Sequence, residues 1–293
     1  LKDRDFHAPV LPEQVISFLV TDRSGIYVDG TVGGGGHTEV ICRHLSAEGR
    51  VIGFDQDEHA LEFAGSRLSV FGDKVVLVRS NFGTMVEQLR SLGTARVHGV
   101  LLDLGVSSHQ LDRAELGFSY RNDGAVDMRM DRRQELTGRD VLNEYPEEDL
   151  QRVIREFGEE RYARRIARAI VYRRPIESTH QLRDAVGSAV GGRYLTKTLS
   201  RVFQAVRIEV NNELAVLEAV LPDIVSLLAE GGRAVVISYH SLEDRIVKTF
   251  FRNNRDMLNI LTKKPLIASP EETIHNPRSR SAKLRAAERK GPE

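Results

Sequence analysis

The stretch Ile26-Tyr-Val-Asp-Gly-Thr-Val-Gly-Gly-Gly-Gly-His37 joins a short apolar run to a block of consecutive glycines, Gly33, Gly34, Gly35 and Gly36. An apolar run that stops at a glycine turn reads as a buried strand. Glycines at its end let the backbone approach a ligand closely, because no Cβ intervenes and positive φ costs little. A second apolar run, Arg50-Val-Ile-Gly-Phe54, ends at Asp55. A glycine turn after one strand and an acid after the next is the pattern of an open α/β sheet that grips a nucleotide-like ligand, with the carboxylate on the ribose hydroxyls. The ligand is expected at the carboxyl ends of these first two strands. Asp29 stands immediately before the turn, where pyrophosphate binders carry Gly-x-Gly-x-x-Gly instead. A carboxylate there repels pyrophosphate and suits the cationic amino end of S-adenosylmethionine, directly or through water.

The same rhythm continues downstream. A helix is expected after Pro12 and another from His37, followed by a strand over 51–54, a helix over 59–68, a strand over 75–78, a helix near 85–92 and a strand over 100–104. This alternation predicts right-handed βαβ units in a mostly parallel, Rossmann-like sheet. From about Asp112 to Val206 no buried strand is legible; the text is polar and arginine-rich, with helical patterns over 138–143, 146–172, 178–190 and 195–208. A long amphipathic helix, Asn211–Ala229, then delivers the β-run Arg233–Tyr239. The expected organisation is one α/β domain from residues 1–112 and 205–293, with 113–204 as a helical insertion that supplies an RNA face or a dimer face. The segments Leu258–Leu266 and Ser281–Ala287 are expected to pair antiparallel at one sheet edge.

Lys+Arg and Asp+Glu both number 42, so no global basic character advertises a nucleic acid. Local patches matter more than the sum, and cations recur in Phe157–Arg174, at Arg193, Lys197, Arg201 and Arg207, and in the tail at Arg278, Arg280, Lys283, Arg285, Arg289 and Lys290. For the arginine-laden helix expected from Phe157, ion pairs with Glu159 and Glu160 are the plain reading. One cysteine excludes an intrachain disulfide framework and a Cys-based metal cluster. No metal is expected. No apolar stretch reaches the roughly 18–20 residues of a membrane span, which suits a cytoplasmic protein without membrane contact.

Candidate chemistry gathers at strand ends. Asp103 closes the fourth β-run, Val100-Leu-Leu-Asp-Leu104, next to the first strand's ligand pocket in a doubly wound sheet. Its carboxylate can accept a hydrogen bond from an amine being alkylated and orient the lone pair at an electrophilic methyl. Tyr239, His240 and Ser241 follow the fifth main run; Tyr239 is placed to stack on a nucleobase, and His240 reads as a base, a substrate contact or a structural histidine. Phe82, after the third strand, reads either as an adenine contact or as a core phenylalanine. Cys42 lies amid Val40 and Ile41 in the helix after the glycines, where a buried thiol is expected. Methylation of a pyrimidine ring carbon needs an accessible thiolate, so direct attack by an amine or hydroxyl fits better.

Longer motifs carry a family resemblance. They are His7-Ala-Pro-Val-Leu, the Gly33–His37 loop, Asp103-Leu-Gly-Val-Ser-Ser, Gly117-Phe-Ser-Tyr-Arg, Asp127-Met-Arg-Met, Phe157-Gly-Glu-Glu-Arg, Phe203-Gln-Ala-Val-Arg-Ile-Glu-Val-Asn211, Ser238-Tyr-His-Ser-Leu-Glu-Asp-Arg245 and Arg280-Ser-Ala-Lys-Leu-Arg285. In this order they resemble the bacterial ribosomal small-subunit RNA cytosine-N4 methyltransferases, the RsmH/MraW family. The resemblance spans almost the whole chain. It implies a class I methyltransferase fold with a helical insertion, S-adenosylmethionine as methyl donor, and a cytidine amine in the decoding region of 16S rRNA as substrate, within the small ribosomal subunit. By motif position it also implies cofactor contacts from Gly35, Gly36, His37, Asp55, Phe82, Asp103 and Gln110. Two positions depart from the family pattern: His109 stands where proline is frequent, and Lys197-Thr-Leu-Ser-Arg201 replaces His-Pro-Ala-Thr-Arg. The competing readings are a DNA amino-methyltransferase, whose Asp/Asn-Pro-Pro-Tyr/Phe motif is absent at Asp103-Leu-Gly-Val, a small-molecule methyltransferase, and a cofactor-sensing assembly factor that transfers nothing.

Overall fold

The apolar runs of the sequence assemble into one seven-stranded sheet. The computed structural model describes residues 8–291; His7, which opens the first family motif, lies outside them. In chain order the strands are β1 (Ile26–Asp29), β2 (Arg50–Asp55), β3 (Val75–Arg79), β4 (Val97–Asp103), β5 (Leu228–Ser238), β6 (Leu258–Ile260) and β7 (Lys283–Arg289). They lie side by side in the order β3-β2-β1-β4-β5-β7-β6. Pairing is parallel from β3 through β5, and β7 runs antiparallel between β5 and β6. The expected antiparallel pair is present, with β6 at the edge and β7 in the interior. Because winding reverses between β1 and β4, that junction is the topological switch, and open α/β sheets bind ligands outside the carboxyl ends of the strands there. Those ends are Asp29 and Asp103.

Residues along each central strand alternate between two cores. Val28, Ile52, Phe54, Val100, Leu102 and Val236 belong to one; Tyr27, Val51, Leu101, Val235 and Ile237 belong to the other. A side-chain period of two puts these sets on opposite faces, and covering both faces is what makes the strands read as unbroken apolar runs. The covering helices before the insertion are α1 (Pro12–Leu19), α2 (Gly36–His44), α3 (Glu58–Leu68) and α4 (Met85–Ser91). Each buries residues three or four apart, such as Val15 and Leu19 in α1, Ala60, Ala64 and Leu68 in α3, and Met85 and Leu89 in α4. Leu102 has no exposed surface, so Leu102→Ala is expected to cost about 2–5 kcal/mol.

The chain divides into two compact units, the first holding residues up to Ser107 and from Leu214 on, the second Ser108–Glu213. The second contains α5 (Ser108–Asp112), α6 (Gly138–Glu144), α7 (Glu147–Glu156), α8 (Ala163–Tyr172), α9 (Thr179–Ala189) and α10 (Leu195–Asn211). Its far boundary lies beyond the expected 204/205 because α10 runs unbroken to Asn211 and stops where Asn212 turns left-handed at φ 51°. One helix was expected over 146–172; two are found. The break falls at Gly158 and Glu159. A Cβ on Gly158 would come within 2.6 Å of the Ile154 carbonyl oxygen, and Glu159 has φ +48°, so the backbone leaves the helical region although the apolar spacing continues. The arginine-laden helix therefore begins at Ala163, not at Phe157. The first unit is completed by α11 (Glu213–Leu227), α12 (Ser241–Asn253) and α13 (Pro270–His275). Among the described residues no helix is long and apolar enough to cross a membrane.

Candidate active site

The turn after β1 is braced from below by Asp29. Its side chain is wholly buried; one oxygen accepts the Thr31 amide at 3.1 Å and the other the Thr38 hydroxyl at 2.7 Å. Burial pushes this carboxyl above the ordinary range, and the bonds from Thr38 and Thr31 and the charge of His37 pull against that shift. The sequence suggested a contact with the ligand's amino end. In the structure both oxygens also bond within the protein, which makes Asp29 the link between the turn and α2.

Gly33 and Gly35 take φ of +51° and +78°, conformations that L side chains rarely adopt. Gly35 caps α2 and Gly36 is its first residue, so the helix presents its unpaired amides at the end of the turn; Gly34 lies between them. The Gly33 amide donates to Asp55 Oδ2 at 2.8 Å, and the Asp57 amide donates to Asp55 Oδ1 at 2.9 Å. The carboxylate at the end of β2 is thereby fixed against the glycine turn, with a lone pair left on each oxygen. Desolvation of the carboxyl raises its pKa to about 6, against the lowering effect of the two amides.

Asp103, at the end of β4, sits between a phenol hydroxyl and an imidazole. The Tyr239 hydroxyl donates to its Oδ1 at 2.8 Å, and His37 Nε2 lies 3.4 Å from its Oδ2. The Asp103 amide donates to Thr31 Oγ1 at 2.6 Å. Burial alone would lower the His37 pKa, but Asp103, with Asp29 and Glu272, more than offsets this and holds it above the usual histidine value. His37 is buried and its Nδ1 has no hydrogen-bond partner among the described residues. Tyr239 is held well above the ordinary phenol range, by burial first and by Asp103 second. It therefore stays a neutral donor to the carboxylate at any physiological pH.

His240 and Ser241 follow Tyr239 into α12. His240 is the N-cap of that helix: the Tyr239 and His240 amides donate to Glu243 Oε2 at 2.8 and 3.3 Å, and the Glu243 amide approaches His240 Nδ1 at 3.5 Å. His240 Nε2 lies 3.1 Å from Glu243 Oε1. His240 therefore serves as a helix cap, whatever else it contacts. Ser241 opens α12 and is half-buried. Arg285 of β7 grips Asp244 through two bonds of 2.7 and 3.2 Å, which ties α12 to the sheet and keeps Tyr239 in place.

Phe82 begins a short 3-10 turn after β3, half-buried and packed on the core that includes Val28, Ile52 and Phe54. Gln110 lies on α5 in the second unit, where it is buried. Cys42 is 2% exposed, and burial pushes its thiol up to about 12, so no thiolate is at hand. Thr31, Thr38, Glu243 and Glu272 were not singled out from sequence, although each holds part of the site. Glu272 accepts the Leu11 amide at 2.7 Å, across a separation that no local pattern reveals. Among the described residues no group of three or more His, Cys, Asp or Glu is placed to hold a metal ion.

Residues 4–290 match the model of a protein family described as the MraW methylase family. The ribosomal RNA small subunit methyltransferase H of Heliobacterium modesticaldum is 50% identical to this chain, over 97% of this chain and 98% of its own length. The proteins of the same name from Geotalea daltonii and Carboxydothermus hydrogenoformans are 49% and 48% identical, each over 97% of this chain and over 98% and 97% of their own lengths.

Proposed function

The chain belongs to the MraW methylase family, and on that premise we propose that it transfers a methyl group from S-adenosylmethionine to N4 of a cytidine in the decoding region of 16S rRNA. The observation that carries this reading is Asp103, fixed between the Tyr239 hydroxyl and His37 at the carboxyl end of β4, one strand from the glycine turn.

The residues present fit the cofactor. Asp55 keeps lone pairs for two ribose hydroxyls, the glycine turn admits close backbone approach, and the orphaned His37 Nδ1 is a buried polar atom that a ligand would satisfy. When bound, S-adenosylmethionine supplies an electrophilic methyl on a sulfonium sulfur. Phe82, half-buried at the end of β3, offers a ring for the adenine. Asp29 acts one step back, by holding Thr31 and Thr38.

The cytosine must leave its stack to be reached. Its amine is a poor nucleophile because the lone pair is delocalised into the ring, so positioning supplies much of the rate. Asp103 accepts a hydrogen bond from the N4 amine and aims the remaining lone pair at the methyl carbon. With the methyl passed from the sulfonium to N4, the proton that N4 must lose would go to the Asp103 carboxylate. His37 and Tyr239 hold the two oxygens of that carboxylate and limit its rotation. The buried Cys42 takes no part, in keeping with attack by the amine without a covalent intermediate.

The test is methyl transfer from labelled S-adenosylmethionine to unmodified 30S subunits and to naked 16S rRNA, read by nucleoside mass spectrometry. N4-methylcytidine is the expected product. Label on subunits alone assigns recognition to assembled shape; label on naked RNA assigns it to local sequence. Cofactor binding without label on either substrate would replace this reading with that of a binding factor.

A further inference from the structure

The second unit holds an open cleft of about 300 Å³ lined by Glu160, Arg161, Tyr162, Tyr194, Lys197 and Arg201. Glu160, only 2% exposed, is fully used within the protein: one oxygen accepts the Tyr162 amide at 3.0 Å, and the other accepts the Thr198 hydroxyl at 3.3 Å and the Arg201 guanidinium at 3.2 Å. Of the two acids that the sequence offered to the arginine-laden helix, Glu159 and Glu160, the second pairs instead with Arg201 of α10. The Arg161 guanidinium lies 4.5 Å from the Tyr162 ring centre and 5.2 Å from that of Tyr194, with Arg165 5.8 Å from Tyr162 and Arg193 5.9 Å from Tyr194. Arg161, Arg165, Arg193 and Lys197 make no ion pair among the described residues. Other arginines of this unit do pair with acids, as in Arg129–Asp127, Arg139–Glu177 and Arg207–Glu213. At this cleft three guanidinium groups without an acid partner among the described residues stand beside two aromatic rings.

Rings flanked by free guanidinium and ammonium groups complement a ligand with a planar π-face and an anionic arm. The volume is at the lower end of small-ligand pockets, the size for one nucleotide and too small for a helix of a protein partner. We propose that this cleft is a subsite for one nucleotide of single-stranded RNA, its base stacked on Tyr194 and its phosphate held by Arg193 and Lys197. Tyr194 is 44% exposed, so its ring is within reach of a ligand from solvent. Arg161 stacks over both tyrosines and supplies a second cation beside the anion. Every lining residue belongs to the second unit, so this subsite needs no contribution from Asp103 or Tyr239. The inference rests on the reading of the chain as an rRNA methyltransferase and adds a grip on the strand to it.

The test uses the full chain and a fluorescein-labelled, single-stranded fragment of unmodified 16S rRNA from the decoding region, followed by fluorescence anisotropy. Tyr194→Ala is expected to weaken binding about tenfold or more, and Tyr194→Phe to restore it. Lys197→Gln is expected to reduce the slope of log affinity against log salt by about 0.7. An unchanged urea-unfolding midpoint reports that each variant is folded; Lys197 is exposed, so Lys197→Gln remains decisive if Tyr194→Ala is not. Wild-type affinity and salt slope in both variants, with methyl transfer intact in the parent, would overturn the subsite alone. A change in oligomeric state with RNA affinity unaltered would overturn it in favour of a protein contact. Failure of the parent to methylate either form of the RNA would sink the functional reading and the subsite with it.

Discussion

At the carboxyl ends of β1, β2 and β4 the acids are held by donors from the protein itself: Asp29 by Thr31 and Thr38, Asp55 by the Gly33 and Asp57 amides, Asp103 by Tyr239 beside His37. Around the cleft of the second unit Arg161 and Arg193 stand by tyrosine rings with no carboxylate partner among the described residues. The contrast separates two tasks. A group that must meet one atom in one geometry gains from fixed neighbours, since they cost no reorganisation at the moment of reaction. A group that must hold a flexible polyanion gains from being loosely held, because its contribution comes from counterion release and stacking, which tolerate varied geometry.

Substitutions break this contrast in graded ways. The largest effect is expected for Asp103→Asn, which keeps the shape but removes the proton acceptor; kcat for methyl transfer should fall roughly 100-fold or more, while RNA affinity by anisotropy stays near the parent's. Asp55→Ala removes the ribose acceptor and the anchor of Gly33. S-adenosylhomocysteine titrated by calorimetry should bind about 10- to 100-fold more weakly, the effect of losing hydrogen bonds to a charged group. An unchanged affinity would remove Asp55 from the cofactor site.

The raised pKa of Asp55 gives the next effect. Below about 6 the free protein carries a proton on this carboxyl, so cofactor affinity should decline as pH falls through that value, by at most about tenfold per pH unit. The sign for stability is opposite. Between the ordinary carboxylate value and about 6 the native state holds a proton that the unfolded state has lost, so Asp55 lowers the stability of the cofactor-free protein as pH rises across that window. Asp55→Asn should flatten both dependences. His240→Ala should cost about 1 kcal/mol in urea unfolding through the lost helix cap; a rate loss comparable to that of Asp103→Asn without a stability change would instead make His240 a substrate contact. Cys42→Ala is expected to change the methyl-transfer rate least, by no more than about threefold. A larger loss, with the protein folded, would contradict attack by a free amine.

Much of the first unit was legible because its signals are local. A glycine turn, Asp55 and Asp103 each stand at the end of an apolar run, and the alternation of runs with helices announces the parallel pairing found from β3 to β4. What stayed hidden depends on partners far away or on backbone geometry. Thr31 meets the Asp103 amide only once β1 and β4 pair, and Glu272 reaches Leu11 from nearly the other end of the chain. His240 reads poorly as a cap because histidine is not among the residues that usually fill that position. In the second unit the apolar period runs on through Gly158 and Glu159, so pattern alone could not show that α7 and α8 are separate helices. The same break places Glu160 at Tyr162, Thr198 and Arg201 instead of along α8, which is why the pairing state of the arginines could not be read from their spacing.

The position of β7 has a consequence for how the chain is made. It is the last of the seven strands in sequence, yet it lies between β5 and β6. During synthesis, β1–β4 emerge first, and the open flank of β4 must wait for the whole of the second unit before β5 arrives. A half-built sheet with an unpaired flank invites association with other chains, so slow passage through this interval favours aggregation. Once complete, the sheet depends on its final strand to hold β6 at all. A protease cut between β6 and β7 that released the tail would therefore remove an interior strand, not fray an edge.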